Sequence, residues 1–383
     1  MRIKIIGGGP AGLYFSYLVK RQRPDFEVTL VERNPEGATF GFGVVFSDQA
    51  LAFMAADDPE THDAILPAME TWRNLTLDLE GERIDIDGMG FAAIGRLELI
   101  QILTERARSV GIEPRFETEA DDLSRLDDAD LIVGADGLNS FIRGDGSEYG
   151  TEMPQLENRF IWYGTDRPFD TLTQSFRRSE DGPFNAHHYR YTPTLSTFIV
   201  ETDEDTWQAA GFEGMGEAET KAYCENVFAD VLQGHSLITN NSYWRRFPKL
   251  SCKSWHSGNH VLIGDAVHTA HFSIGSGTRL AMEDALALAK AVVLAAPDDI
   301  PAAMEAYEAA RKPITEKIVR AANTSAAWYE DFASHMELAP ADFAYSYIQR
   351  SGRMDDERLQ RLAPEFFATY SPHWNADAAG GQA

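Results

Sequence analysis

Cysteine is nearly absent from this 383-residue chain, which has only Cys224 and Cys252. Two thiols without metal-ligand spacing exclude a disulfide framework and a zinc site, and no metal is expected. Long apolar runs are missing too: none approaches the roughly 18 residues that a membrane-spanning helix needs. The apolar start is interrupted by Gly7, Gly8 and Gly9, and no cleavage pattern follows, so a cytoplasmic location is expected. Basic residues are outnumbered 34 to 60, and the net charge of −26 argues against nucleic acid or an anionic membrane as partner. There is no internal repeat and no linker. With 44% apolar residues, the chain can bury one large core or two domains.

What is present begins at the N-terminus. Residues 3–6 read as a strand, and Gly7, Gly9 and Gly12 fill the three positions of G-x-G-x-x-G. The first glycine permits a tight turn, the second lets backbone approach a pyrophosphate, and the third lets the helix pack on its strand. Residues 11–21 form that helix, whose N-terminal N–H groups and dipole favour an anion. The next strand, 28–31, ends at Glu32, 20 residues after Gly12, where a carboxylate can accept both ribose hydroxyls.

Two later segments repeat the strand-to-turn theme. Residues 261–263 run into Gly264-Asp265, followed by Gly275-Ser276-Gly277 and a helix from Thr278. Asp265 is a charged acceptor suited to ribityl hydroxyls, and the helix start near Thr278 and Arg279 suits the flavin edge where negative charge collects on reduction. Between them, residues 130–140 carry a strand into Asp136-Gly137, followed by Phe141-Ile142-Arg143.

These three motifs, in this order and spacing, resemble the single-component flavoprotein aromatic hydroxylases, the para-hydroxybenzoate hydroxylase family, over about the first 300 residues. The resemblance implies an α/β fold: a Rossmann-like FAD-binding domain (1–70, 96–155, 255–300) interrupted by a substrate-binding sheet domain (71–95, 156–254). Alternation over residues 72–95 reads as a hairpin around Glu80-Gly81-Glu82. A helical segment, 301–383, with helices expected at 302–311 and 314–329 on either side of Pro313, ends in a disordered tail, 375–383. FAD would be held by Gly7, Gly9, Pro10, Ala11 and Gly12, by Glu32, Arg33, Val45, Arg96 and Asp136, and by Asp265, Gly275, Gly277, Thr278 and Arg279. Asp136 and Arg143 could equally serve NAD(P)H. The chemistry implied is reduction of FAD by transient NADH or NADPH, O2 addition at flavin C4a, and delivery of OH from the hydroperoxide to an electron-rich ring.

A narrower resemblance rests on residues 39–47, 161–165, 196–201 and 271–275. They are similar to a subgroup containing salicylyl-CoA 5-hydroxylase, the monooxygenase half of anthraniloyl-CoA monooxygenase and a hydroxylase of violacein synthesis. Phe272 and Arg279 replace the proline and asparagine usual in the wider family. The substrate implied is an aromatic CoA thioester with an ortho hydroxyl or amino group, hydroxylated at C5. A free aromatic acid or tryptophan is the alternative. A flavin halogenase is disfavoured because Trp162-Tyr163-Gly164 does not match the Trp-x-Trp-x-Ile-Pro signature, and a non-catalytic scaffold is disfavoured by the complete 264–278 segment. An anionic CoA arm would need local cations such as Arg177-Arg178, Arg245-Arg246, Lys249 or Lys253, which read equally as solvated strand-edge residues. His271, in the loop before Gly275, and His187, on an expected strand, are the candidate catalytic side chains. Alternation puts His187 and Tyr189 on one face and His188 on the other, without saying which face meets the substrate. Either a monomer or a homodimer fits.

Overall fold

The first βαβ unit forms from the residues that announce it. In the computed structural model, which describes residues 1–47, 50–126, 128–295 and 299–374, strand Arg2–Ile6 pairs in parallel with Glu27–Val31 and Leu131–Gly134. His260–Leu262 extends the sheet in parallel, and His256–Ser257 closes its edge antiparallel. Leu131–Gly134 is buried throughout, which is why it reads as a continuous apolar run rather than an alternating one. Helix Pro10–Gln22 begins with proline, where the missing N–H costs nothing, and ends near Lys20 and Arg21, which suit its negative pole. It packs against helix Gly277–Leu294. Gly12 is required by closeness: a Cβ there would lie 2.0 Å from the Gly7 carbonyl oxygen.

The second layer is an eight-stranded sheet. Its order is Leu237–Ile238, Gln155–Thr165, Ser196–Thr202, Pro183–Arg190, Leu172–Arg178, Leu75–Leu79 and Glu82–Ile86, with Arg245–Pro248 also pairing with Gln155–Thr165. The hairpin expected around Glu80-Gly81 is present. Both residues have positive φ (53° and 91°), as a two-residue turn matching the strand twist requires. Phe91–Gly95 does not extend this sheet. It pairs with Gly43–Ser47 and Glu70–Trp72 in a separate three-stranded sheet that carries Val45 and leads into Arg96.

The C-terminal part differs from the sequence expectation of separate helices on either side of Pro313. One helix runs unbroken over Ile300–Glu330 with Pro313 inside it. An internal proline costs about 3 kcal/mol, and burial on both sides offsets this: Met304, Tyr307 and Arg311 before it, Ala322, Trp328 and Tyr329 after it. The helix ties the two layers together. Tyr307 Oη donates to the Leu262 carbonyl (3.2 Å) at one end, and Asn158 Nδ2 donates to the Tyr329 carbonyl (2.7 Å) at the other. Helices Phe332–His335, Pro340–Gln349 and Pro364–Tyr370 then cover part of the eight-stranded sheet through Phe176, Phe332, Phe343, Tyr347 and Phe366. The tail expected to be disordered, 375–383, lies outside the described residues. Among the described residues no helix is long and apolar enough to cross a membrane.

Candidate active site

A cavity of about 410 Å³ opens where the Rossmann-like sheet meets the eight-stranded sheet. One wall is built from the three glycine-rich turns: Gly9, Pro10 and Ala11; Ala135 and Gly137; Asp265 and Gly275 to Thr278. A Cβ on Gly9 would meet nothing within 4 Å, so its backbone faces open space at the start of helix Pro10–Gln22, as a diphosphate cradle requires. Glu32 Oε2 accepts from Gly8 N (2.7 Å), and Oε1 accepts from Asn34 N (2.8 Å) and Asn34 Nδ2 (2.6 Å), fixing the carboxylate at the strand end with room on Oε2 for one further donor. Val45 sits over Gly275, where a Cβ would come within 2.9 Å of its Cγ1.

Asp265 and Arg96 are the charged pair on this wall. Asp265 faces the open cavity yet lies deep in the protein. Burial pushes its carboxyl above the usual range, while His268 and Arg96 pull it down. Burial likewise lowers the Arg96 pKa, offset in part by Asp265 and reinforced by Arg245. Beneath them the Gly264-Asp265 turn is anchored by fully buried Asp284. That carboxylate accepts from Gly264 N (3.1 Å), pairs with His268 Nε2 (2.7 Å) and accepts from Arg311 Nε (3.0 Å). Burial raises the Asp284 pKa, but His268 and Arg311 outweigh it and hold the group below its ordinary value. The glycine cradle, the carboxylate in ribityl position and the adjoining guanidinium fit a flavin dinucleotide.

The opposite wall is aromatic: Phe160, Trp162, Tyr189, Phe247 and Phe272, with Ile199 and the Arg245 guanidinium among them. His187 also lines it, 4% exposed, with neither ring nitrogen bonded to any of the described residues. Burial, and secondarily the Arg350 charge, lowers its pKa to about 3, so the imidazole is neutral at working pH. The alternation left open by the sequence is decided here. His187 and Tyr189 face the cavity, whereas His188 turns away, with Nε2 2.9 Å from Ser175 Oγ and its ring stacked on Phe198. The four stretches behind the narrower resemblance meet at this place, contributing Val45, Trp162, Ile199, Phe272 and Gly275.

Several expected site residues do not line the cavity. His271 is 2% exposed, enclosed by Phe247, Phe272 and Tyr329, and its Nδ1 accepts from Ser273 N. It packs within the loop, and the candidate histidine that lines the cavity is His187. Asp136 is spent on its own turn, accepting from Ser140 Oγ (2.6 Å) and Phe141 N (2.6 Å). Arg143 donates to the Ala266 and Leu138 carbonyls, and Arg279 pairs along its helix with Glu283 (2.8 Å). Gly7 and Gly12 lie under the first turn, and Arg33 is exposed outside. Most of the basic clusters are spoken for: Arg177 by Asp78 and Asp230, Arg178 by Glu337, Arg246 by Glu204 and Lys253 by Glu152. Of these, Arg245 alone borders the cavity. The sequence reading missed Phe160, Phe247 and Ile199 as lining residues and named Arg245 only as one of several candidate cations for a CoA arm. Strand alternation was available for the first three, but only the packed helices show which face is inward.

Comparison with known proteins agrees with this geometry. A model of the FAD binding domain family matches residues 124–322, and one of the NAD(P)-binding Rossmann-like domain matches residues 5–40. Salicyloyl-CoA 5-hydroxylase of a Streptomyces species is 43% identical over 362 residues, covering 92% of this chain and 70% of that one. 3-Hydroxy-4-methyl-anthranilyl-(aryl-carrier protein) 5-monooxygenase of Streptosporangium sibiricum is 37% identical over 330 residues (86% and 89%). Protodeoxyviolaceinate monooxygenase of Chromobacterium violaceum is 35% identical over 363 residues (91% and 94%). Among solved structures, a variant of 2-methyl-3-hydroxypyridine-5-carboxylic acid oxygenase superposes with TM-score 0.69 at 17% identity, covering 94% of this chain and 96% of that one. At that identity it speaks to the fold alone. Fold and site together define a FAD-dependent monooxygenase that uses NAD(P)H and acts on an aromatic ring. The chain belongs to the FAD binding domain family of aromatic hydroxylases.

Proposed function

We propose that this enzyme hydroxylates an aromatic acyl thioester bearing an ortho hydroxyl or amino group, at the ring carbon para to that donor, as in C5 of salicylyl-CoA or anthraniloyl-CoA. The observation that carries the reading is neutral, unpartnered His187 in a wall of aromatic side chains. Bound FAD supplies reduction by NAD(P)H and activation of O2. The protein's share is holding and shielding. Gly9, the helix start at Pro10, Arg96 and Asp265 would hold the dinucleotide, and Glu32 its adenosine ribose. Phe160, Trp162, Tyr189, Phe247 and Phe272 would clamp the substrate ring and exclude water. His187 would accept the donor's proton as the ring carbon attacks, which strengthens electron donation at the para position. The thioester carbonyl withdraws electrons from the ring, so this donor is chemically necessary. Two relatives named for salicyloyl-CoA and for an anthranilyl carrier-protein thioester support the acyl-thioester form. Cytoplasmic location belongs to the same reading.

A panel of salicylyl-CoA, anthraniloyl-CoA, free salicylate and tryptophan, with product mass and NAD(P)H consumption, tests it. The expected result is a product heavier by one oxygen atom, formed from a thioester only. Turnover of free salicylate or tryptophan with both thioesters untouched would overturn it.

A further inference from the structure

Behind His187, on the same face of the sheet, lies a row of buried polar side chains that the proposed function does not use. Strand register sets Gln174 opposite His187, and Asn185, two residues along, opposite Glu201. Gln174 is wholly buried with neither amide atom bonded to any of the described residues. Asn185 Nδ2 stands beside the Glu201 carboxylate without a hydrogen bond of normal geometry, and Glu201 Oε2 has no partner among the described residues. The other oxygen, Oε1, accepts from Asn158 Nδ2 (3.0 Å). Buried polar atoms left unpaired cost about 1–3 kcal/mol each, so neighbouring orphans of this kind mark places where internal water completes the bonding. The C-terminal helices seal the row from bulk solvent through Phe176, Trp328 and Phe343, leaving the cavity side, at His187, as its contact with the reaction.

We propose that Gln174, Asn185 and Glu201 hold a short chain of ordered water behind His187 that carries the substrate's donor proton out of the cavity, with Glu201 as its acceptor. This rests on the function proposed above. The O–H or N–H bond of the ring donor breaks, and its electron pair stays with the donor and feeds the ring. The proton bonds to one nitrogen of His187 while the proton on the other nitrogen passes to water. The last water gives a proton to the Glu201 carboxylate, forming an O–H bond, and the imidazole ends as its other tautomer. The negative charge thereby leaves Glu201 and passes to the ring donor, whose electron pair feeds the ring. Burial raises the Glu201 pKa to about 8, with Glu330 adding to the rise and Asn158 opposing it, so the group can be loaded and unloaded near working pH. The titratable and charged groups facing the row are Glu330 and Tyr329 from the long helix toward Glu201, and His271, Arg350 and Tyr189 toward His187.

Two measurements on the holoenzyme test this. First, a high-resolution crystal structure should show at least one ordered water bridging His187 or Gln174 to Glu201; a dry row overturns the proposal whatever the substrate proves to be. Second, product formed per NAD(P)H consumed should rise with pH in the parent, with a midpoint near 8. In Glu201→Gln it should be pH-independent over that range and lower by ~10-fold or more, with FAD and substrate affinity unchanged. An unaltered profile in this near-isosteric variant overturns the proton role. If none of the panel's thioesters is hydroxylated while another aromatic is, the substrate reading alone fails, and the same pair of profiles is measured on that aromatic.

Discussion

Ionisation of Glu201 leaves a mark on folding that can be read without any substrate. Its folded-state pKa of about 8 stands above the ordinary 4.5 because burial penalises the charge. For a group whose folded pKa is raised, the stabilising term is fully present below the unfolded value and is lost as pH rises through the folded one. Between about pH 4.5 and 8 the native state therefore binds the extra proton, and stability contributed by this site falls by up to ~1.4 kcal/mol per pH unit. Across the window the loss is roughly 5 kcal/mol, an order-of-magnitude figure for a fully buried carboxyl. Glu201→Gln removes the titration while preserving shape and an oxygen for Asn158. Its stability relative to the parent should therefore improve steadily from pH 5 to about pH 8 and level off above that. Melting of a chain this long carries an entropy of about 0.8 kcal/mol/K, so the Tm difference should widen by up to ~6 °C. Scanning calorimetry of both proteins at saturating FAD gives that difference directly, since other groups titrating in the range are common to both. A Tm difference that stays flat across this range would mean that Glu201 does not hold its proton in the fold, and would remove the acceptor from the proton path.

Asp265→Ala should weaken FAD binding by ~10- to 150-fold, the equivalent of a charged hydrogen-bond acceptor worth about 1.5–3 kcal/mol; titration of apoprotein with FAD measures this, and an unchanged Kd would remove Asp265 from the ribityl site. Glu32→Ala should weaken FAD without altering which ring carbon reacts, because Glu32 is fixed at the Gly8 turn, away from the aromatic wall; changed regiochemistry at normal FAD affinity contradicts that placement. His187→Ala should leave FAD binding intact and cut hydroxylation by ~100-fold or more while NAD(P)H oxidation continues with peroxide release; a product yield per NAD(P)H equal to the parent's would leave His187 as packing only. His271→Ala should instead cost roughly 2–4 kcal/mol of stability, because it empties a buried site among Phe247, Phe272 and Tyr329; loss of coupling at unchanged stability would restore His271 as a direct participant.

The sequence by itself determined the first strand-turn-helix and the Gly264-Asp265 turn. Gly7, Gly12 and Gly264 are local chemistry: each needs glycine because backbone approaches closely or φ is positive there, and that need is visible along a single strand-turn-helix. The Glu80-Gly81 hairpin was legible for the same reason. Tertiary structure decided everything that depended on which face of an element is covered. Alternation showed that His187 and His188 point apart, but only the packing of Phe169 and Phe198 around His188 placed it outside the cavity. Asp136 and Arg279 looked like cofactor ligands until Ser140, Phe141 and Glu283 supplied their partners. Pro313 read as a break, yet the contacts along Ile300–Glu330 carried the helix through it. The polar row ending at Glu201 joins residues 27 apart in the chain (174 against 201), on strands that flank Pro183–Arg190 and are aligned by the register of the sheet. Residues that meet only through strand pairing leave no local pattern, because hydrogen-bonded register, not sequence spacing, sets the distance between them.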